Sequence, residues 1–176
     1  FHDWLATLTE LAGWTTPART DGVSLVPTLT GVGAQEAGVV YVEYGSNSNT
    51  PNYPEFDPSH RGRRRGQEQV VYVDGYKGVR VDVGSHADPF EIYDVTADPR
   101  ETTNLAGTTP AFLALEQRMR DRVLRLRRAE PSAPRPYDGV PVPPLAPGPS
   151  RPGLTFDAFE GFWPWLPRLE RLDRVA

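Results

Sequence analysis

The residues best able to do chemistry stand together at His60-Arg61-Gly62-Arg63-Arg64-Arg65. A guanidinium presents a planar fork of N–H donors that meets a carboxylate, phosphate or sulfate with two parallel hydrogen bonds. Four such forks beside one imidazole suit recognition of an anionic group rather than covalent chemistry. A plainer role competes with that one: a solvated basic loop whose arginines pair with Glu55, Asp57 or Glu68. Nucleic acid binding would add stacking aromatics, for which Tyr53 and Phe56 stand nearby, but the net charge of -4 argues against it. His60 alone reads more simply as a hydrogen-bonding loop residue than as a ligand. His2, His60 and His86 include no pair at metal-ligand spacing. Lys77, the only lysine, sits where a hairpin strand is expected and can face either solvent or a binding site.

The elements that would position these groups can be read from periodicity and turn chemistry. Trp4, Leu5, Leu8, Leu11 and Ala12 share one helical face, and Gly13 is a plausible stop. Residues 38–44 (GVVYVEY) form a strand candidate, and residues 45–65 a long polar loop. Residues 67–73 and 76–83 flank Asp74-Gly75, a pair that tolerates the positive φ angles of a tight hairpin. A fourth strand is expected at 90–95. Thr109 and Pro110 then open a helix whose stripe is Phe112, Leu115, Met119, Val123 and Leu126. Arg125, Arg127 and Arg128 near its end suit the helix dipole from a solvated face. Residues 131–152 read as an extended, proline-rich connector. Beyond it, Phe162, Trp163 and Trp165 either pack against the body, stack on sugar rings, or open a further domain.

Composition narrows the classes. The chain of 176 residues holds 19 prolines and 16 glycines, which predicts a modest core with long irregular stretches. With no cysteine, thiol nucleophiles and thiolate metal sites are excluded. No apolar run approaches membrane-spanning length, so no membrane partner is expected.

Several segments are longer than chance patterns. Phe90 to Gly107, FEIYDVTADPRETTNLAG, resembles the phrase ELYDLxxDPxExxNLA that closes the C-terminal subdomain of the sulfatase family, within the alkaline phosphatase superfamily. The match falls on Glu91, Ile92, Tyr93, Asp94, Val95, Asp98, Pro99, Glu101, Thr103, Asn104, Leu105 and Ala106. Asp3 to Gly13 resembles the family's DxxPTLxxLAG helix, with Ala6 in place of proline. Asp21 to Gly31 resembles DGxSLxPxLxG, and Asp74 to Val79 resembles DGxxKLI with Lys77 on the family lysine. The resemblance covers about residues 1–130 in family order.

The resemblance implies an α+β fold: a small four-stranded antiparallel sheet packed by a long C-terminal helix, with an N-terminal helix left over from an α/β core. The expected division is 1–31 for the end of that core, 32–130 for the C-terminal subdomain, 131–153 for a linker, and 154–176 for a tail or the start of an appended module. Residues 154–176 resemble, more weakly, the entry to a carbohydrate-binding β-sandwich. It implies a bacterial, exported or periplasmic parent that hydrolyses sulfate esters with a formylglycine and a bound calcium. The formylglycine would come from a Cys/Ser-x-Pro/Ala-x-Arg motif. Neither Pro58-Ser59-His60 nor Pro149-Ser150-Arg151 keeps that frame, so catalytic and metal-binding groups are expected in an upstream α/β core, the partner of this segment. The substrate-binding candidates for an anionic, sulfated substrate are His60, Arg61, Arg63, Arg64, Arg65 and Lys77. Two other readings stay open: a related phosphate or phosphonate ester hydrolase, and a stand-alone anion- or glycan-binding module.

Overall fold

The computed structural model describes residues 1–145, 148, 149 and 152–175. Ser150 and Arg151, and with them the Pro149-Ser150-Arg151 piece, lie outside the described residues, as do Ala146 and Pro147 of the expected connector and Ala176 of the expected tail. The chain is α+β and divides into two compact units, one of Phe1–Val39 with Ala146–Ala176 and one of Val40–Leu145.

In the second unit, β1 (Tyr41–Asn49), β2 (Arg64–Val73), β3 (Tyr76–Arg80) and β4 (Glu91–Tyr93) form an antiparallel sheet in sequence order. The β2–β3 turn is the expected one: Asp74 and Gly75 both take positive φ, at 52° and 84°. The β1–β2 ladder runs further than residues 38–44 and 67–73 suggest. It passes an irregularity between Gly45 and Ser48 and continues to Ser48↔Arg65 and Asn49↔Arg64. Arg64 and Arg65 are therefore strand residues, and the loop that holds His60, Arg61 and Arg63 shortens to residues 50–63. Backbone pairing, which a polar composition does not reveal, makes that difference.

The long helix is α2 (Pro110–Leu126), and it forms as its sequence asks. The Thr109 side chain accepts from the Phe112 amide at 3.3 Å, and Pro110 opens the first turn. Leu115, Met119 and Val123 meet Val71, Phe90 and Ile92 from the sheet in one buried cluster, with Phe112 and Leu126 packed against it. Gly78 lies under this contact; a Cβ there would stand 2.6 Å from Met119 Sδ and 3.0 Å from Phe90 Cδ1. Glu116 closes the joint by accepting from the Phe90 amide at 3.2 Å.

The expected solvated arginine face at the end of α2 is only partly solvated. The Arg127 side chain is nearly buried and pairs with Asp138 at 2.9 Å. Residues 131–140 are likewise not an extended spacer. Tyr137 is fully buried, and the Arg127 and Arg135 guanidinium groups lie 5.1 and 5.9 Å from its ring. Arg135 reaches the Glu43 carboxylate on β1. A buried aromatic packed by two ion-paired guanidinium groups outweighs the intrinsic preference of a proline-rich stretch for extension.

In the first unit, α1 (Asp3–Leu11) has its polar face inward. Ala6, Thr7 and Thr9 are buried, whereas Trp4, Leu5, Leu8 and Leu11 are 52, 54, 57 and 58% exposed. The inward contacts are hydrogen bonds to the following segment: Asp3 accepts from the Val23 amide at 2.9 Å and Thr7 from the Leu25 amide at 3.0 Å. Gly22 makes this approach possible, since a Cβ there would stand 2.2 Å from the His2 carbonyl oxygen. The short helix that follows, Val26–Thr30, ends at Gly31 with φ 70°. Residues 164–168 lie along residues 15–18 of the same unit, with a Pro17↔Pro167 bridge and an Ala18 amide donating to the Leu166 carbonyl at 2.8 Å.

Candidate functional site

The cleft that gathers part of the arginine loop lies where that loop meets β4 and the segment after it. About 630 Å³ in volume, it is lined among others by Phe56, His60, Arg63, Glu91, Tyr93 and Arg100. Strand alternation places its base. Glu91 stands opposite Val79, and Tyr93 opposite Lys77, on the sheet face away from α2. The same face carries Val42 and Tyr72 across the sheet, both exposed.

Glu91 is the electrostatic centre of the cleft. Arg63 pairs with one of its oxygens, while His60 Nε2 stands 3.5 Å from the other. The Tyr93 hydroxyl donates to that second oxygen at 2.9 Å. Burial and this carboxylate acceptor push the Tyr93 phenol above its ordinary value. Glu101 takes a positive φ of 55° and accepts from Lys77 at 2.6 Å, which neutralises a second carboxylate on the wall. Arg100, by contrast, is exposed in the cleft with no ion-pair partner among the described residues.

The residues between β4 and α2 hold these walls in place. Asn104 Oδ1 accepts from the Ile92 and Ala106 amides, both at 3.0 Å. Asp98 accepts from the Thr103 amide at 2.9 Å and from the Thr102 hydroxyl, hydrogen bonds that hold its carboxyl below the ordinary value. The Leu105 amide donates to the Ile92 carbonyl at 2.9 Å. The segment that stood out most in the sequence is thus mainly a brace, and Arg100 projects from that brace.

The sequence-derived candidates separate accordingly. His60 and Arg63 enter the cleft. Arg61 secures its wall, with Nε donating to the Phe56 carbonyl at 2.8 Å and another nitrogen donating to the Pro54 carbonyl. Lys77 reaches the wall only through Glu101. Arg64 and Arg65 lie on β2 and pair with Asp82 at 3.5 Å and Glu68 at 2.7 Å. Pattern reading missed Glu91, Tyr93 and Arg100, because no arginine cluster marks them; their one sequence signal is a place inside the Phe90–Gly107 phrase.

Among the described residues no group of three or more His, Asp or Glu side chains could hold a metal ion.

No family model matches the chain, and no curated protein matches it. Among solved structures it is similar to the phosphonate monoester hydrolase of Agrobacterium radiobacter, at 24% identity and a TM-score of 0.45, covering 71% of this chain and 24% of that one. The phosphonate monoester hydrolase from Silicibacter pomeroyi gives 24% identity, a TM-score of 0.43, and coverage of 70% and 24%. BT4656, in complex with its substrate D-glucosamine-2-N,6-O-disulfate, gives 23%, 0.42, and coverage of 70% and 22%. The chain spans about a quarter of the length of each.

Proposed function

We propose that this chain is the C-terminal portion of a bacterial sulfatase, contributing structure and a cationic rim to an active site whose nucleophile and metal ligands come from a preceding α/β core. The observation that carries this reading is the outward apolar face of α1. Trp4, Leu5, Leu8 and Leu11 stand open while alanine and threonines are buried. Covering four such side chains is worth about 8 kcal/mol in transfer terms, a gain left unrealised within the chain. A covering core for that face accounts for it. The exposed Val42 and Tyr72 on the open sheet face support the same reading. The rim role rests on the arginine cleft, where Arg63 and Arg100 present guanidinium groups to an incoming sulfate ester.

The test is to read the coding frame upstream of Phe1, express the complete protein and assay 4-nitrophenyl sulfate, 4-nitrophenyl phosphate and a phenylphosphonate ester. The expected result is a frame containing Cys/Ser-x-Pro/Ala-x-Arg and turnover of the sulfate ester. Arg100→Ala should raise KM severalfold with kcat little changed, whereas Arg64→Ala leaves both unaltered. Turnover of the phosphonate or phosphate ester alone would replace the sulfatase with the related hydrolase. A start codon directly before Phe1 would overturn both and leave an anion- or glycan-binding module.

A further inference from the structure

We infer that the first unit carries a binding groove for an uncharged saccharide, built from Trp14, Trp163 and Trp165 and continued by a polar wall containing Glu10, Glu170 and Arg171. The groove is separate from the arginine cleft, which lies wholly in the second unit, and stands independently of the hydrolase reading.

Its aromatic end is a cavity of about 430 Å³ lined by the three indoles, Phe162 and Pro164. Trp14 and Trp165 meet with centroids 5.6 Å apart and planes inclined at 58°, which leaves an open wedge rather than a closed stack. The Trp165 ring is fixed, because its indole N–H donates to the Thr15 carbonyl at 2.8 Å. The backbone beside it is held by the Pro17↔Pro167 bridge and by Arg168, whose guanidinium donates to the Thr20 and Gly22 carbonyls at 2.8 and 3.2 Å. Trp163 is seated on Gly161, where a Cβ would stand 2.7 Å from the ring. The anchored Trp165 face costs little entropy when a flat apolar ring face lands on it, and Trp14 and Trp163 extend that surface.

The polar end is a second cavity of about 580 Å³ that shares Trp14 and Thr15 with the first. Arg171 is anchored there between Glu36 at 2.7 Å and Glu10 at 3.7 Å. Glu170, exposed on the same wall, has no partner among the described residues. The indole N–H groups of Trp14 and Trp163 are likewise without acceptors among the described residues. Acceptors and donors thus alternate beside apolar faces. A pyranose needs that combination, with C–H groups on the ring face and hydroxyls that both donate and accept around it. A proline-rich peptide would ask the same indoles for donors but leave the carboxylates unanswered. Three carboxylates against one guanidinium on the polar wall disfavour a sulfated or phosphorylated sugar, so the ligand is uncharged.

The experiment is tryptophan-fluorescence titration of the intact chain with cellobiose, lactose, chitobiose, glucose 6-sulfate and a proline decapeptide. The expected result is saturable binding of at least one neutral disaccharide and none of the sulfated sugar. Trp14→Ala and Glu170→Ala should each weaken it about tenfold. Trp4→Ala, another exposed tryptophan outside the groove, should leave it unchanged. Circular dichroism establishes that each variant is folded, and Glu170→Ala, an exposed position, tests the groove even where Trp14→Ala is not. Absence of neutral-sugar binding by the folded chain overturns the inference. So does equal loss in Trp4→Ala, or tighter binding of the proline peptide.

Discussion

Arg80 and Gln69 face each other across the β2–β3 pair, with Arg80 Nε donating to Gln69 Oε1 at 3.0 Å and both side chains buried. A charged guanidinium is therefore satisfied by neutral groups: Gln69, the His86 and Asp88 carbonyls at 3.0 Å each, and the Phe90 ring 4.2 Å below it. Burial pulls Arg80 down to about 10, which leaves it cationic at neutral pH. Gln69→Leu removes the acceptor and strands the charge, so the second unit should lose about 3 kcal/mol. All four tryptophans lie in the first unit, so the urea midpoint should be followed by hydrogen exchange at β2 amides rather than by indole fluorescence. An unchanged exchange rate there would refute the assignment.

Gly78 and Met119 share a space that admits no further carbon. Gly78→Ala should destabilise the sheet–helix joint by about 2 kcal/mol through overpacking. Combining it with Met119→Ala should cost less than the sum of the two single changes, since the methionine then vacates the space. Additive losses in a double-mutant cycle would place the strain elsewhere.

Alkaline pH should destabilise the second unit. Burial first, then hydrogen bonds to Glu43 and Glu91, push the Tyr41 and Tyr93 phenols above the ordinary value of 10.0. The unfolded chain releases these protons near 10 while the folded chain keeps them, so the native state holds more protons and stability falls as pH rises past that point. Arg80 works in the opposite direction, since raising the pH relieves the cost of its burial. Comparison of urea midpoints at about pH 8 and about pH 11 should show the net loss, and Tyr41→Phe should reduce it. The same slope in Tyr41→Phe as in the wild type would exclude this phenol as a source.

Glu91 restrains the cations of the cleft. Glu91→Gln removes the carboxylate charge facing Arg63 and His60 while nearly preserving shape, so inorganic sulfate should bind about tenfold more tightly. The gain should shrink with added chloride. Weaker sulfate binding in the variant, measured by calorimetry, would mean that Glu91 is needed to aim Arg63 rather than to compete for it.

Local rules made much of the fold legible. The Asp74-Gly75 turn, the Thr109-Pro110 helix start and the stripe from Phe112 to Leu126 each depend on a residue and its near neighbours, so the sequence alone determined them. It also singled out His60 and Arg63, which the fold brings to the lining of one cleft. Pairing distant parts of the chain was left to tertiary structure. The ladder beyond Gly45 turned Arg64 and Arg65 into strand residues, and Arg135 found Glu43 across 92 positions to draw a proline-rich stretch onto the sheet. Arg100 entered the cleft because the Asn104 and Asp98 hydrogen bonds fold its segment there. The apolar stripe of α1 shows the limit most plainly. Its periodicity determines which residues share a face, but whether that face meets a core depends on what stands opposite, and here the hydrogen bonds of Asp3 and Thr7 claimed the inner side.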